Sequence, residues 1–255
     1  ISVKGVGMWE FSLNIGADNS ELAGRVFNAM RNLSSNLGGV VTKHEENGYI
    51  SILIAVDEAF SPEIEFALSS VITRAICTNF KMAFLEKFLF LPQHDKVSTT
   101  AFKKALLNFD KETDKFLVQK NLNFDKSLFL ESFYLFRLGS LRAKWSELVS
   151  LANENRVYLI SDDAFFDLLK FLVDNLDICE EEVDVFENEE GYKIVFEDDE
   201  GEYAGRIFNE EGLVSSMIDL APQKINFYCE RGSKTSELLE KIFDDRLNIC
   251  RQKNF

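Results

Sequence analysis

Val40-Val-Thr-Lys-His-Glu-Glu-Asn-Gly-Tyr-Ile-Ser-Ile-Leu-Ile-Ala-Val56 decides the fold class of this chain. Two β-branched runs flank Asn47-Gly48, a pair that readily takes the left-handed backbone of a tight hairpin turn. The stretch therefore predicts two antiparallel strands. Upstream, Trp9, Phe11, Leu13 and Ile15 alternate with polar neighbours as a half-buried strand does. Asp18-x-x-Glu21 then has the form of a capping box before a helix from Leu22 to Leu37, which Gly38-Gly39 stops. Downstream, Ser61-Pro62-Glu63 places an N-cap, an N1 proline and a first-turn acid at the start of a helix predicted to run to Leu91, before Pro92. Leu68, Val71, Ile72, Ala75, Ile76 and Phe80 form its apolar face. The order βαββα implies an antiparallel sheet with helices packed on one side.

Beyond Ser98 the periodicity stays helical as far as Cys179. Leu128 to Phe136 is apolar almost all round and predicts a helix sandwiched between neighbours, whereas Leu141, Trp145, Leu148 and Ala152 form a one-sided stripe. Ser161-Asp162 reads as the cap of a further helix ending at Leu176. Strands then return, with Val183 to Phe186 and Tyr192 to Phe196 across Glu189-Glu190-Gly191, and another from Tyr203 to Phe208 after Asp198-Asp-Glu-Gly201. A helix near Glu211 to Leu220, a strand Lys224 to Cys229, a helix capped near Thr235 and a strand Leu247 to Cys250 complete the pattern. The expected fold is α+β in three segments: an N-terminal α+β segment 1–95, a helical segment 96–178 and a C-terminal strand-rich α+β segment 179–255. No Pro, Gly or Ser-rich linker divides them, so shared interfaces are expected, with the strand-rich ends joined in one sheet.

The 255 residues, 46% of them apolar, suffice for a core without staples. The four cysteines, Cys77, Cys179, Cys229 and Cys250, form no Cys-x-x-Cys pair and suit a reducing, cytoplasmic setting. Lys81, Glu86 and Lys87 break up the most apolar helix, so no membrane span is expected. Ile1 to Gly7 lacks the apolar core of a secretory signal. The net charge is −15, and residues 180–202 carry twelve acids against one base, Lys193. With no basic patch to neutralise phosphates, direct nucleic-acid binding is disfavoured.

Candidate chemistry is sparse. His44 and His94 are the only histidines, and a dyad of either with Cys77 competes with the default that a thiol on an apolar helix is inert. Cys179, Cys229 and Cys250 lack the paired spacing of a zinc site. Glu197-Asp-Asp-Glu-Gly-Glu202 lacks the loop length and terminal bidentate acid of a calcium loop, so it reads as a solvated surface or as an acidic docking surface for a basic partner. No cofactor-binding motif is present. Arg137 and Arg246 each sit inside an apolar run; the plain reading is a structural ion pair with an acid such as Asp244 or Asp245, and the functional one an anion or partner contact.

Asn209-Glu-Glu-Gly-Leu-Val-Ser-Ser-Met-Ile-Asp-Leu-Ala-Pro-Gln-Lys-Ile-Asn-Phe-Tyr-Cys229, followed by Lys241-Ile-Phe-Asp-Asp-Arg-Leu-Asn-Ile-Cys250, resembles the end of YtxC-like proteins. Phe136-Arg-Leu138 and Asp167-Leu-Leu-Lys-Phe-Leu-Val173 are similar to further elements of that family. The resemblance covers about residues 130–250 and, in helix pattern only, 60–95. It implies a role in sporulation and assigns no reaction. Together these readings lead to a non-enzymatic interaction or assembly factor with a protein partner, its surface formed by Glu197, Asp198, Asp199 and Glu200 with Arg137 and Arg246. The alternative is an enzyme or ligand-binding protein with a site built around Arg137, Arg246 and carboxylates.

Overall fold

The computed structural model describes residues 7–196, 203, 205–229 and 233–251. The chain divides into two compact units, one formed by Ile1–Ala83 with Glu112–Glu147 and the other by Phe84–Lys111 with Leu148–Phe255. Each has its own mixed sheet, so the strand-rich ends do not join into one as the sequence pattern suggested.

In the first unit the expected βαββα order is present. Strand β1 (Met8–Gly16) leads through a short 3-10 turn to α1 (Ser20–Asn36), then to β2 (Val40–Glu46), β3 (Tyr49–Asp57) and α2 (Ser61–Ala75). The turn joining β2 to β3 takes the left-handed backbone expected of it, with φ of 53° at Asn47 and 80° at Gly48. The capping box does not form: Asn19 is the N-cap of α1, no side chain caps it, and the Asn19 Nδ2 donates instead to Glu131 Oε1 at 2.9 Å. Phe11, Leu13, Ile15, Ile50, Ile52, Ile54 and Val56 form the buried face of the sheet. Against it lie Leu22, Val26 and Met30 of α1, with Ile64, Leu68 and Ile72 of α2 also buried in this unit. Burying a side chain of this size contributes roughly 1.5–3 kcal/mol, so this layer supplies most of the unit's cohesion.

The sheet order is β2-β3-β1-β4, and β4 (Ser127–Phe129) pairs parallel to β1. Periodicity missed this strand because it is three residues long and opens a run that otherwise reads as helix. Helix α6 (Leu130–Arg137) follows directly. It is not sandwiched as expected: Leu130 and Phe133 are buried, but Leu135 and Phe136 are exposed.

The long helix after β3 is interrupted by a π turn, Ile76–Phe80, before α3 (Lys81–Phe88). Its buried positions include Ile72, Ile76, Cys77, Lys81 and Leu85. The five-residue step across the π turn is the register shift that one inserted residue causes, and it carries Lys81 to the buried side.

The second unit contains α4 (Lys96–Asn108), the end of α7 (Gly139–Glu154) and α8 (Asp162–Asp174). It continues with β5 (Glu182–Asn188), β6 (Gly191–Phe196), β7 (Ile207–Phe208), α9 (Glu210–Leu220), β8 (Lys224–Cys229), α10 (Lys234–Phe243) and β9 (Leu247–Arg251). Helix α5 (Lys111–Asn121) lies almost entirely in the first unit. The sheet order is β7-β6-β5-β8-β9, with β5-β8 and β8-β9 parallel and the others antiparallel. Val183, Val185, Ile194, Ile225, Phe227 and Cys229 line its buried face, and Leu213, Val214, Met217, Leu239, Ile242 and Phe243 of the helices are buried in the same unit. Asn209 Oδ1 caps α9 at the Gly212 N–H, and α10, expected to be capped near Thr235, is capped by Ser233.

Candidate functional site

The acidic face of the second unit is laid out by strand register. Side chains alternate across a strand, so with Val183 and Val185 inward, Glu182, Asp184 and Phe186 of β5 face the other way. Parallel pairing sets them beside Lys224, Asn226 and Tyr228 of β8. Asn248 and Cys250 of β9 continue the last two rows.

Each row is tied across the strands. Lys224 Nζ meets Glu182 Oε1 at 2.5 Å. Asn226, 7% exposed, donates from Nδ2 to Glu182 Oε1 at 2.6 Å and to Asp184 Oδ1 at 2.9 Å, and its Oδ1 accepts from Asn248 Nδ2 at 3.2 Å. Phe186 and Tyr228 stack with centroids 4.6 Å apart and planes 7° from parallel. These contacts shift the titration of the group. Hydrogen bonds from Lys224 and Asn226 hold the Glu182 carboxyl below the usual range, the Glu182 bond raises Lys224, and the Asp184 charge raises the Tyr228 phenol.

Above this ladder opens a cleft of about 930 Å³, lined by Glu180, Glu181, Glu182, Asp184, Val195, Phe196, Gln223, Lys224 and Asp245. Among the described residues lining it, five carboxylates face one ammonium. The face suits a cationic surface that brings apolar side chains to Val195 and Phe196. Among the described residues no group of three or more His, Cys, Asp or Glu is placed to hold a metal ion.

The anticipated site residues fall in separate places. Glu197, Asp198, Asp199 and Glu200 lie outside the described residues; the acids before them, at 180–184, form the face just described. Arg137 is exposed at the end of α6, in the first unit. Arg246 belongs to the second and is half-buried. Its guanidinium donates to the Pro222 and Asp174 carbonyls at 3.4 and 3.3 Å and lies 3.8 Å from Asp174 Oδ1. Its ion pair is therefore with Asp174, while Asp244 lies 3.7 Å from Lys170 Nζ.

Cys77 is buried within the π turn, and burial pushes the Cys229 thiol up to about 11. His44 is exposed on β2, 3.5 Å from Glu46. His94 Nε2 lies 2.7 Å from the Leu159 carbonyl, which can only accept, so that nitrogen carries a proton; Nδ1 is 3.3 Å from Asp162 Oδ1 and the ring stacks on Phe165 at 3.9 Å. Both ring nitrogens are thus occupied at the edge of a second cleft, of about 420 Å³, that mixes Asp95, Asp162, Glu210 and Glu237 with Lys234 and Lys241.

Sequence reasoning missed the neutral members of the ladder, Asn226 and Asn248, because only parallel pairing across about forty residues reveals them. It also missed a buried ion cluster in the first unit. There Asp114, fully buried, accepts from Lys81 Nζ at 2.7 Å, Lys144 Nζ at 2.7 Å and Trp145 Nε1 at 3.0 Å. Burial is the main cause that lowers the Lys81 ammonium from its ordinary value, and Asp114 opposes it. The available signal was Lys81 itself, a cation in the middle of an apolar helix.

Residues 64–248 match the family model described as the YtxC-like family. The match covers most of the chain and reaches further toward the N-terminus than the motifs at 130–250. No curated protein and no solved structure matches the chain.

Proposed function

The chain belongs to the YtxC-like family, and on that premise we propose that it is a non-enzymatic interaction or assembly factor acting in sporulation in the cytoplasm. Its docking surface is the acidic face of the second unit's sheet, to which the reading of the sequence adds Glu197, Asp198, Asp199 and Glu200. One observation carries this reading: Glu182 and Asp184 are held in fixed positions by a nearly buried Asn226 beneath an open acidic cleft. Carboxylates preorganised in this way meet a basic partner at little ordering cost. The same excess of acid repels a phosphate backbone, which argues against nucleic acid as the partner. No helix among the described residues is long and apolar enough to cross a membrane. A ligand site built around Arg137 and Arg246 has less support, since Arg246 is engaged with Asp174 and Pro222.

The test is affinity capture with crosslinking from sporulating cells, comparing the intact chain with one variant neutralised at Glu180, Glu181, Glu182 and Asp184 and another at Glu197, Asp198, Asp199 and Glu200. A basic protein retained by the intact chain, released by salt and lost in either variant supports the docking face. Equal retention by all three chains defeats it.

A further inference from the structure

The first unit's sheet ends in a strand built to pair. Strand β2 forms one edge of the order β2-β3-β1-β4, and among the described residues no strand lies on its outer side. It is seven residues long, paired to β3 in an unbroken register without a bulge, and exposed along nearly its whole length. It contains none of the prolines or kinks by which proteins commonly blunt a sheet edge; only its charges, Lys43, Glu45 and Glu46, do so.

Those charges complement one another. The two-residue turn makes Glu46 and Tyr49 the closing pair that exchanges both hydrogen bonds. Alternation from that pair turns the backbone N–H and C=O groups of Thr42 and His44 toward β3 and those of Val41, Lys43 and Glu45 outward. A second β2 running antiparallel must therefore pair odd-numbered residues with odd-numbered ones. Centred on Lys43, such pairing sets lysine against lysine. Centred on Thr42, it sets Val41 against lysine. Centred on His44, it sets Lys43 opposite the partner's Glu45 and Glu45 opposite the partner's Lys43, two oppositely charged, hydrogen-bonded pairs about one two-fold axis.

We propose that β2 is a homodimerisation edge, on which a second copy of this chain pairs antiparallel about His44 and extends the sheet to twice its width. The charges that discourage indiscriminate edge pairing select this register. Strand β2 precedes the residues matched by the family model, and the inference is independent of the acidic docking face.

Sedimentation equilibrium of the full chain tests it, with Lys43→Glu and the charge-swapped double variant Lys43→Glu/Glu45→Lys. Both positions are exposed, and circular dichroism verifies folding. The intact chain dimerises; Lys43→Glu places like charges opposite each other twice and raises the dimer dissociation constant by about tenfold; the double variant restores it. A monomeric intact chain, a dimer indifferent to Lys43→Glu, or a double variant no tighter than the single one would each overturn the proposal.

Discussion

The two units treat charge in opposite ways. In the first, Asp114 is sealed in the core beneath Lys81, Lys144 and Trp145. In the second, Glu182 and Asp184 stand on an open sheet face, braced from below by Asn226. Coulomb attraction is stronger in the core, but so is the cost of leaving one partner behind, because water cannot take its place. On the open face water can, so the same residue types shape a surface without holding the unit together. The contrast assigns the buried cluster to folding and leaves the exposed ladder free for the docking role proposed for it.

The sharpest break of this comparison is Asp114→Ala. It strands the Lys81 ammonium in the core, and the expected loss is about 3–5 kcal/mol. Both tryptophans, Trp9 and Trp145, belong to the first unit, so urea unfolding followed by tryptophan emission reports on that unit. Lys81→Met should cost less, since Asp114 keeps Lys144 and Trp145 and the stem of the lysine is replaced by apolar volume. If the two variants lose equal stability, the cluster is not organised around Asp114.

Asn226→Ala comes next. It removes the donor shared by Glu182 and Asp184 and the acceptor of Asn248. The expected loss is about 1–3 kcal/mol, read as faster amide exchange in β8 with the tryptophan transition unmoved. A shift in that transition would instead tie the ladder to the first unit's stability.

Titration separates the units by pH window. The Lys81 ammonium is lowered by burial, so between its folded value and its ordinary one the unfolded chain holds the extra proton. The contribution of Lys81 to the first unit's stability therefore rises as pH is taken from its folded value toward its ordinary one. The carboxyls of Glu182 and Glu211 are lowered by bonds from Lys224 with Asn226 and from Lys96 with Thr100. Their contribution is complete above the ordinary glutamate range and is lost as pH falls through the folded values. Urea midpoints by tryptophan emission and amide exchange in β8 across pH check the two trends separately.

Local pattern in the sequence was enough to read most elements of both units. The β2-β3 hairpin, α2 with its proline start, and the β5 to β9 succession each follow from alternation, helical period or a turn pair within about ten residues. What escaped was decided by residues far apart. Strand β4 is recognisable only through β1, the capping box lost to the contact of Asn19 with Glu131, and Arg246 chose Asp174 over its neighbours in sequence. The candidate site divides the same way: the run of acids was plain, whereas Asn226 and Asn248, which make it a built surface, become visible only once β5, β8 and β9 are aligned in parallel.

The smallest effect on folding belongs to Lys224→Ala, and it sharpens the comparison most. Lys224 and Glu182 form an exposed pair, each about half accessible, a class of ion pair that contributes little to stability in water. The unfolding transitions should stay where they are. Recognition should change, because Lys224 is the only cation among the described residues lining the acidic cleft. Its removal exposes the full carboxylate charge to an incoming basic surface, so the partner should be retained to higher salt than by the intact chain. An unchanged fold with stronger retention places this charge in recognition; weaker retention would mean that Lys224 itself contacts the partner and that the cleft is read as a mixed-charge surface.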